Sequence, residues 1–254
     1  MNFDDKIVKI RERLNLNQGF WTRLPDNLLL LAFIPVESTN LLPLDFRQKV
    51  QKEYGHTDYD IFEFMGDAIL ELIITQLLFE IVSVTTIRNY SVFRQKIVQN
   101  LTLYCLMQSK QLCDELITSD PSYYFKECAD VFEAILGVLY YFLYYIEANR
   151  EAFSIIYDWF RRTWNIQSLL DSLLTTGQTN CQIDGRFGPW SVWSPCSNKC
   201  GPGLKQRIRV CNNPSPQFGG LPCVGPTNEI QSCYDTSGCP KKNKYKPKPK
   251  SRSA

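Results

Sequence analysis

"DIFEFMGDAILEL", residues 60–72, places four carboxylates on an otherwise apolar segment. At 100° per residue, Asp60, Glu63, Asp67 and Glu71 fall on one stripe of a helix. The opposite side is predicted to be apolar and consists of Ile61, Phe62, Met65, Ile69, Leu72 and Ile73. No Lys or Arg occurs from residue 55 to residue 87, so the segment contains no opposite charge to offset its acids. Neutralisation must therefore come from outside the segment.

Length and composition bound the fold class. The chain has 254 residues and 44% apolar content, enough for one good core and a smaller module. The net charge of +2 conceals a polarised molecule, because the last fourteen residues contain six Lys and one Arg without an acid. The chain is thus predicted to contain one large domain, a smaller module and a basic tail.

Four segments of different composition follow one another. Residues 1–174 show helical periodicity, with helices predicted near 4–16, 25–33, 60–83, 91–109, 125–148 and 151–174 and no alternating strand pattern. Residues 175–184 form a polar linker, and residues 185–240 are rich in Gly, Pro, Cys and Trp. Residues 241–254 are too rich in Lys and Pro to bury a core and are predicted to be disordered.

The first residues favour an amphipathic helix over a secretory signal, since they lack a basic start followed by an apolar run. Two apolar runs, "NLLLLAFIP" and "ILGVLYYFLYYI", are shorter than the roughly 20 residues that a membrane span needs. We therefore expect both runs to be core helices and expect no membrane span.

A second acidic group lies in "ECADVFEAILG", residues 127–137. Asp130 and Glu133 are one turn apart, and the small residues beside them would let another helix approach closely. Four carboxylates brought into one cleft would raise one another's pKa, at a cost of several kcal/mol, unless cations occupy the cleft. Hard divalent cations such as Mg²⁺ suit oxygen ligands. The alternative is a solvated acidic face on two ordinary helices.

The two acidic motifs resemble those of the ribonuclease III family. "DIFEFMGDAILEL" is similar to the family's signature, "ADVFEAILG" to its second carboxylate motif, and "FRQKIVQNLTL" to the stretch between them. The resemblance spans roughly residues 25–150. It implies an all-helical, Mg²⁺-dependent endonuclease, with Mn²⁺ as a substitute, that hydrolyses double-stranded RNA to 5′-phosphate and 3′-hydroxyl ends. By position it assigns the catalytic and metal-binding roles to Glu63, Asp67, Asp130 and Glu133, with Asp60 as a secondary acid.

Three departures from the family pattern qualify this prediction. Asp60 stands where the family usually has Glu, no acid precedes "SVFRQKIV" at Ile87, and residues 28–40 lack the His and Arg of a family motif. The first two changes bear on substrate handling or rate more than on metal binding. The alternative function is a catalytically weak or inactive duplex-RNA binder, or an adhesion protein that uses the nuclease fold as a scaffold.

The family pairs two nuclease domains, each of which cuts one strand. A chain with one copy is therefore expected to form a two-fold homodimer. The apolar positions Ile61, Phe62 and Met65 are candidates for that contact, and ordinary core is the alternative for each of them.

The cysteine-rich segment "FGPWSVWSPCSNKCGPGLKQRIRVCNNPSPQFGGLPC", residues 187–223, resembles a thrombospondin type-1 repeat. Phe187, Trp190 and Trp193 recur every third residue, and Lys205, Arg207 and Arg209 alternate along a predicted strand. Aromatic faces could stack between these cations. Zinc binding is the rival use of the cysteines, although their C-x3-C and C-x11-C spacings lack paired CxxC knuckles.

The resemblance implies a small antiparallel β module with three disulfides, Cys196–Cys233, Cys200–Cys239 and Cys211–Cys223, and a glycan or protein partner. Together with the all-helical first domain, the predicted fold class is mainly α, with this β module and a disordered basic tail. The two parts of the chain also imply different cellular compartments. Ribonuclease III enzymes work in reducing compartments, which together with the lack of a signal favours the cytoplasm or nucleus, whereas disulfides need oxidation. A virus-encoded protein with its own thiol oxidation chemistry would reconcile the two.

The tail is the candidate for a second RNA contact, because extended basic chains bind phosphates without sequence preference. The residues proposed for this contact are Lys241, Lys242, Lys244, Lys246, Lys248 and Lys250. A nuclear-import signal and a merely solubilising end are the alternatives.

Overall fold

The computed structural model describes residues 3–81, 87–118, 124–176, 183–216 and 219–239. Nine α-helices lie in the first three of these ranges. They are α1 (Phe3–Arg13), α2 (Asp26–Leu31), α3 (Leu44–Tyr54), α4 (Asp60–Ile81), α5 (Ile87–Ile97), α6 (Asn100–Ser109), α7 (Tyr124–Tyr141), α8 (Ala152–Thr163) and α9 (Ile166–Thr176). Three short 3₁₀ helices add Gly19–Arg23, Val36–Leu41 and Leu112–Glu115, and a π-helical turn, Phe142–Ile146, follows α7. The predicted fold class, mainly α with a small antiparallel module, is confirmed.

The centre of the helical part is the packing of α4 against α7. The two helices meet at glycines that lie almost in contact with the opposite backbone. A Cβ atom added to Gly66 would lie 1.8 Å from the carbonyl oxygen of Glu133, and one added to Gly137 would lie 1.9 Å from the carbonyl oxygen of Phe62. Only glycine leaves room for this approach, so the small residues in the two motifs bring the acidic helices together.

The apolar side of α4 differs in part from the prediction. Phe62, Ile69 and Ile73 are buried in the core, but Ile61 and Leu72 are exposed. The reason is that α7 covers only one face of α4 closely. The apolar residues of α4 are spread around most of the helix, so some of them lie outside the covered face. Phe62 is only 1% exposed, so of the two alternatives that the sequence left open for it, dimer contact and ordinary core, the structure shows the core.

Two helices predicted as continuous are broken, and one helix was not predicted. The stretch 91–109 divides between α5 and α6, where Gln99 is extended and precedes the first turn of α6. The stretch 151–174 divides between α8 and α9, where Trp164 is extended and the side chain of Asn165 accepts a hydrogen bond from the backbone N of Ser168 (3.4 Å). The helix that was not predicted is α3. It follows Pro43 at its N-terminal cap and ends before Gly55, which has a φ of 79°.

The run Phe125–Ile146, which covers most of α7 and the π-helical turn, has the length and hydropathy of a membrane span. Within the described residues, however, 67% of its most apolar window is buried inside the protein. Its position against α4 and α6 is that of a core helix.

The cysteine-rich module contains one two-stranded antiparallel sheet, β1 (Gly201–Ile208) and β2 (Asn228–Asp235), with Gly201 opposite Asp235 and Ile208 opposite Asn228. The segment before β1 runs alongside it, and its backbone donates hydrogen bonds from Ser191 to Ile208 and from Ser194 to Gln206. Three disulfides close the module, Cys196–Cys233, Cys200–Cys239 and Cys211–Cys223, the same pairing that the resemblance implies.

A further disulfide lies in the helical part and was not predicted. It joins Cys113, in the 3₁₀ helix before α7, to Cys128 in the first turns of α7, and both residues are buried. The same 3₁₀ helix is tied to α1 by Glu115, which is 3% exposed and forms ion pairs with Lys6 (3.2 Å) and Arg13 (2.8 Å). The 3₁₀ helix thus links the N-terminal end of α7, through the disulfide, to α1, through the ion pairs.

Candidate active site

The four carboxylates that the sequence singled out lie on the two helices that approach most closely. α4 supplies Glu63 and Asp67, and α7 supplies Asp130 and Glu133. Asp130 is only 5% exposed, Glu63 and Glu133 are half-buried, and Asp67 faces solvent. The charges of the other three all act on Glu133, so the structure brings the four into one electrostatic cluster.

Burial and crowding disfavour the charged form of these groups. Burial, followed by the charges of Asp67, Glu63 and Asp130, raises the pKa of Glu133 to about 8. Burial and the charge of Asp130 also raise the pKa of Glu63. A cluster of this kind is destabilised at neutral pH unless cations compensate it.

A cation of the protein itself lies beside the cluster. Lys126, one turn before Asp130 on α7, places its Nζ 2.5 Å from Oδ2 of Asp130. Burial nevertheless raises the pKa of Asp130, against the lowering effect of Lys126. Although burial lowers the pKa of Lys126, its hydrogen bond to Asp130 and the nearby negative charges raise it above the usual range. Sequence reasoning missed Lys126, although its position four residues before Asp130 was visible.

Tyr59, directly before α4, was also missed. Its side chain is 5% exposed, and its hydroxyl donates a hydrogen bond to Oδ2 of Asp130 over 3.4 Å. Burial, followed by the charge of Asp130, raises the pKa of this phenol, so it remains a neutral donor. No helical periodicity identifies Tyr59, because it precedes the helix.

The remaining acids of the α4 stripe are less involved. Asp60 is exposed as a whole residue. Partial burial of its carboxyl, followed by the charges of Asp58 and Glu37, raises its pKa. Glu71 pairs with Arg94 of α5 at 3.8 Å, so this acid is offset from outside its own segment. Exposed pairs of this kind contribute about 0–1 kcal/mol.

The chemistry of the cluster fits a hard divalent cation, since its side chains offer carboxylate oxygens, and burial together with neighbouring negative charges raises the pKa of Glu63 and of Glu133. The side chains are not arranged around a ready-made metal position. In the part of the chain that the structure describes, no three His, Cys, Asp or Glu side chains are placed to hold an ion.

In the module, cations and aromatic rings alternate as the sequence predicts. Arg207 stacks on Trp190 and Trp193 at 5.0 and 4.7 Å from the ring centroids, and Arg209 stacks on Phe187 at 3.9 Å. Lys205 lies 4.8 Å from Trp193. These residues are half-buried, so the stack replaces an aliphatic core as well as presenting positive charge. The proposed RNA contacts from Lys241 to Lys250 lie outside the described residues.

Two segments match known families. Residues 60–143 match the family model of the ribonuclease III domain, and residues 188–239 match that of the thrombospondin type 1 domain.

Curated relatives match over the module. Semaphorin-5A of Mus musculus is 51% identical over 51 residues, which is 20% of this chain and 5% of that protein. Thrombospondin-1 of Xenopus laevis is 45% identical over 60 residues, 24% of this chain and 5% of that protein. The chain therefore spans about 5% of the length of these relatives.

Solved structures of other proteins are also similar to this chain. The nuclease domain of ribonuclease III from Campylobacter jejuni is 20% identical, with a TM-score of 0.44, covering 62% of this chain and 94% of that one. Dicer from Pichia stipitis is 15% identical, with a TM-score of 0.37, and the match covers 68% of this chain and 89% of that one. The chain thus carries, in this order, a segment that matches the model of the ribonuclease III domain and a segment that matches the model of the thrombospondin type 1 domain.

Proposed function

We propose that the chain is a Mg²⁺-dependent endoribonuclease that hydrolyses double-stranded RNA to 5′-phosphate and 3′-hydroxyl ends. The observation that carries this proposal is the packing of Gly66 and Gly137, which brings Glu63, Asp67, Asp130 and Glu133 together on two helices. The ribonuclease III domain match over the same residues supports it.

In this proposal the four carboxylates hold the cation, with Mn²⁺ as a substitute for Mg²⁺. Bound there, the cation would activate a water and neutralise charge on the scissile phosphate. The pKa of Glu133, raised to about 8, means that its carboxyl is largely protonated near pH 7 before a cation binds, so cation binding would release this proton. Lys126 would attract the phosphate through the positive charge of its largely exposed side chain, and Asp60 would be a secondary acid at the rim.

A homodimer is the proposed assembly, and the exposed side of α4 supports it. Ile61, Phe64 and Leu72 follow one another along this side and are 39%, 78% and 53% exposed. Exposed apolar residues grouped on one face are typical of protein contacts. Phe64 takes the place that the sequence interpretation gave to Phe62.

The module and the tail are proposed as accessory binding elements. The positive stack of Lys205, Arg207 and Arg209 suits an acidic glycan or an acidic protein surface. The Lys-rich tail is proposed to contact RNA phosphates, which would make duplex binding strongly dependent on salt.

A duplex-cleavage assay tests the proposed function. Purified protein is incubated with long double-stranded RNA and Mg²⁺, beside the Glu133→Ala variant and a control with Ca²⁺. Glu12→Ala, which removes an exposed carboxylate on α1, is the matched control. We expect the original chain and Glu12→Ala to cut, and Glu133→Ala to lose at least about 100-fold in rate, as for a catalytic group.

The second candidate is a duplex-RNA binder without turnover. The ion pair between Lys126 and Asp130 favours it, because a protein cation already neutralises the most buried acid of the cluster. Duplex binding without products, equal in the original chain and Glu133→Ala, would replace the enzyme with this candidate.

A further inference from the structure

Tyr59 contacts both helices that carry the acidic cluster. Its backbone N donates to the carbonyl oxygen of Ile34 (3.0 Å), and its own carbonyl accepts from the backbone N of Glu63 (2.8 Å) in the first turn of α4. Its hydroxyl crosses to α7 and donates to Oδ2 of Asp130 (3.4 Å). One residue is thus fixed to the core, to α4 and to α7.

The two partners of Asp130 share one oxygen. Within the described residues its side chain has hydrogen bonds with Tyr59 and Lys126, and both are to Oδ2. Oδ1 is left for another ligand. A carboxylate held at one oxygen by a fixed donor keeps its other oxygen in a defined direction, which is what metal binding requires.

Of the two donors, Tyr59 is the rigid one. Its ring is buried in the core and has two side-chain torsions, whereas Lys126 has a flexible four-carbon stem and a side chain that is 63% exposed. A lysine so exposed can move away when a divalent cation takes over neutralisation of Asp130. The hydrogen bond from Tyr59 carries no net charge and is compatible with a bound cation.

We propose that Tyr59 is a positioning residue that orients Asp130 for divalent-cation binding and holds it in register with Glu63. This inference rests on the proposed function, because it assumes that the cluster binds a cation. Tyr59 touches neither substrate nor cation in this proposal and acts only through Asp130.

The test is the Tyr59→Phe variant, which removes the hydroxyl and keeps the ring. Tyr104→Phe is the matched control, since Tyr104 is also buried and its hydroxyl accepts a hydrogen bond from Gln108 on α6. Mn²⁺ binding without RNA is measured by titration calorimetry. Cleavage of duplex RNA is then measured over a range of Mg²⁺ concentrations.

We expect Tyr59→Phe to weaken Mn²⁺ binding about 10-fold and to lower kcat about 10–100-fold, the usual effect of removing a partner of a metal ligand. KM for RNA should change less than about twofold, and higher Mg²⁺ should restore part of the rate, because the ligands remain present. Tyr104→Phe should bind Mn²⁺ and cut RNA as the original chain does.

The outcomes separate this inference from the proposed function. If the original chain neither binds Mn²⁺ nor cuts duplex RNA, the proposed function fails. If the original chain does both and Tyr59→Phe matches it in Mn²⁺ affinity and kcat, only the positioning role is overturned. Equal losses in Tyr59→Phe and Tyr104→Phe would also overturn it, since they would reflect general stability.

A second measurement applies if Tyr59→Phe does not fold. 3-Fluorotyrosine is placed at position 59 alone, and its fluorine NMR signal is followed during addition of Mg²⁺. We expect the signal to shift with the same midpoint as cation binding. A signal that stays unchanged while the cation binds would overturn the role of Tyr59.

Discussion

Glu133 is the residue whose protonation state matters most for the cluster. Its pKa in the folded protein is raised to about 8 from an ordinary value of 4.5, so the folded state binds its proton more tightly than the unfolded state does. Its contribution to stability is therefore fully present below about pH 4.5. It is lost as the pH rises towards 8.

The Glu133→Gln variant tests the direction of this pH dependence of stability. Without divalent cations it should match the original chain in stability at pH 4.5 and be more stable at pH 8, by about 1–2 kcal/mol. This value is below the full pKa shift, because the carboxyl is only half-buried and its charge is screened. The measurement is the unfolding midpoint at each pH, with Glu12→Gln on the surface of α1 as control. A variant that gains no stability between pH 4.5 and 8 would contradict the raised pKa.

At the residue scale, the sequence predicted which acids meet but not which groups accompany them. Glu63 with Asp67, and Asp130 with Glu133, were predictable as pairs because helical spacing places residues three and four apart on one side. Lys126 was missed although it lies four residues before Asp130 on the same helix. Tyr59 was not predicted, because its importance depends on the distance between α4 and α7. That distance is a tertiary property and leaves no periodic pattern in either segment.

At the scale of elements, the contact between α4 and α7 depends on two glycines. The Gly66→Ala variant should destabilise the protein by about 1–3 kcal/mol, since its Cβ would collide with the backbone at Glu133 and force the helices apart. It should also lower cleavage about 100-fold, because shifts of about 1 Å in catalytic groups have effects of that size. Thermal unfolding and the duplex-cleavage assay measure the two effects.

The control for Gly66→Ala is Ala68→Ser, which changes an exposed position of the same helix. It should stay within about 0.5 kcal/mol of the original chain. If Gly66→Ala were as stable and as active as Ala68→Ser, the close approach of the two helices would not be required for the site.

Helix positions were predictable from the sequence and helix ends were less so. The helices α7 and α8 were predicted from their apolar periodicity, and both are present in the folded protein. The break before α9 depends on Asn165, a common N-terminal cap whose signal was present but was outweighed by apolar residues on both sides. α3 was missed although Pro43 and Gly55 are typical start and stop residues, because its polar sequence has a weak apolar face.

At the scale of the whole molecule, the exposed side of α4 predicts self-association. Phe64→Glu should convert a dimer into a monomer, since a charge placed at the centre of an apolar contact would be desolvated without a partner. Sedimentation velocity measures this change. Loss of the dimer should also change the products from double-strand cuts to single-strand nicks.

Leu44→Glu provides the comparison, because Leu44 on α3 is 61% exposed and lies on a different helix from Phe64. This variant should remain a dimer. A monomeric original chain, or a Phe64→Glu variant that still dimerises, would remove α4 from the proposed assembly.

The division into a helical part and a cysteine-rich module was visible in the sequence because composition changes sharply near residue 185. The disulfide Cys113–Cys128 was not visible, since two cysteines fifteen residues apart in a helical region carry no recognisable spacing. Their proximity follows only from the position of a 3₁₀ helix beside α7.

That buried bond has a practical consequence for anyone who prepares this protein. Chain made in a thiol-rich host, or kept in customary reductants, would lack a covalent link two residues from Asp130 as well as the three bonds of the module. A negative cleavage assay on such material would apply only to a molecule without these cross-links. Oxidative refolding or secretion from the expression host is the appropriate starting point, because both parts of the chain then keep their cross-links.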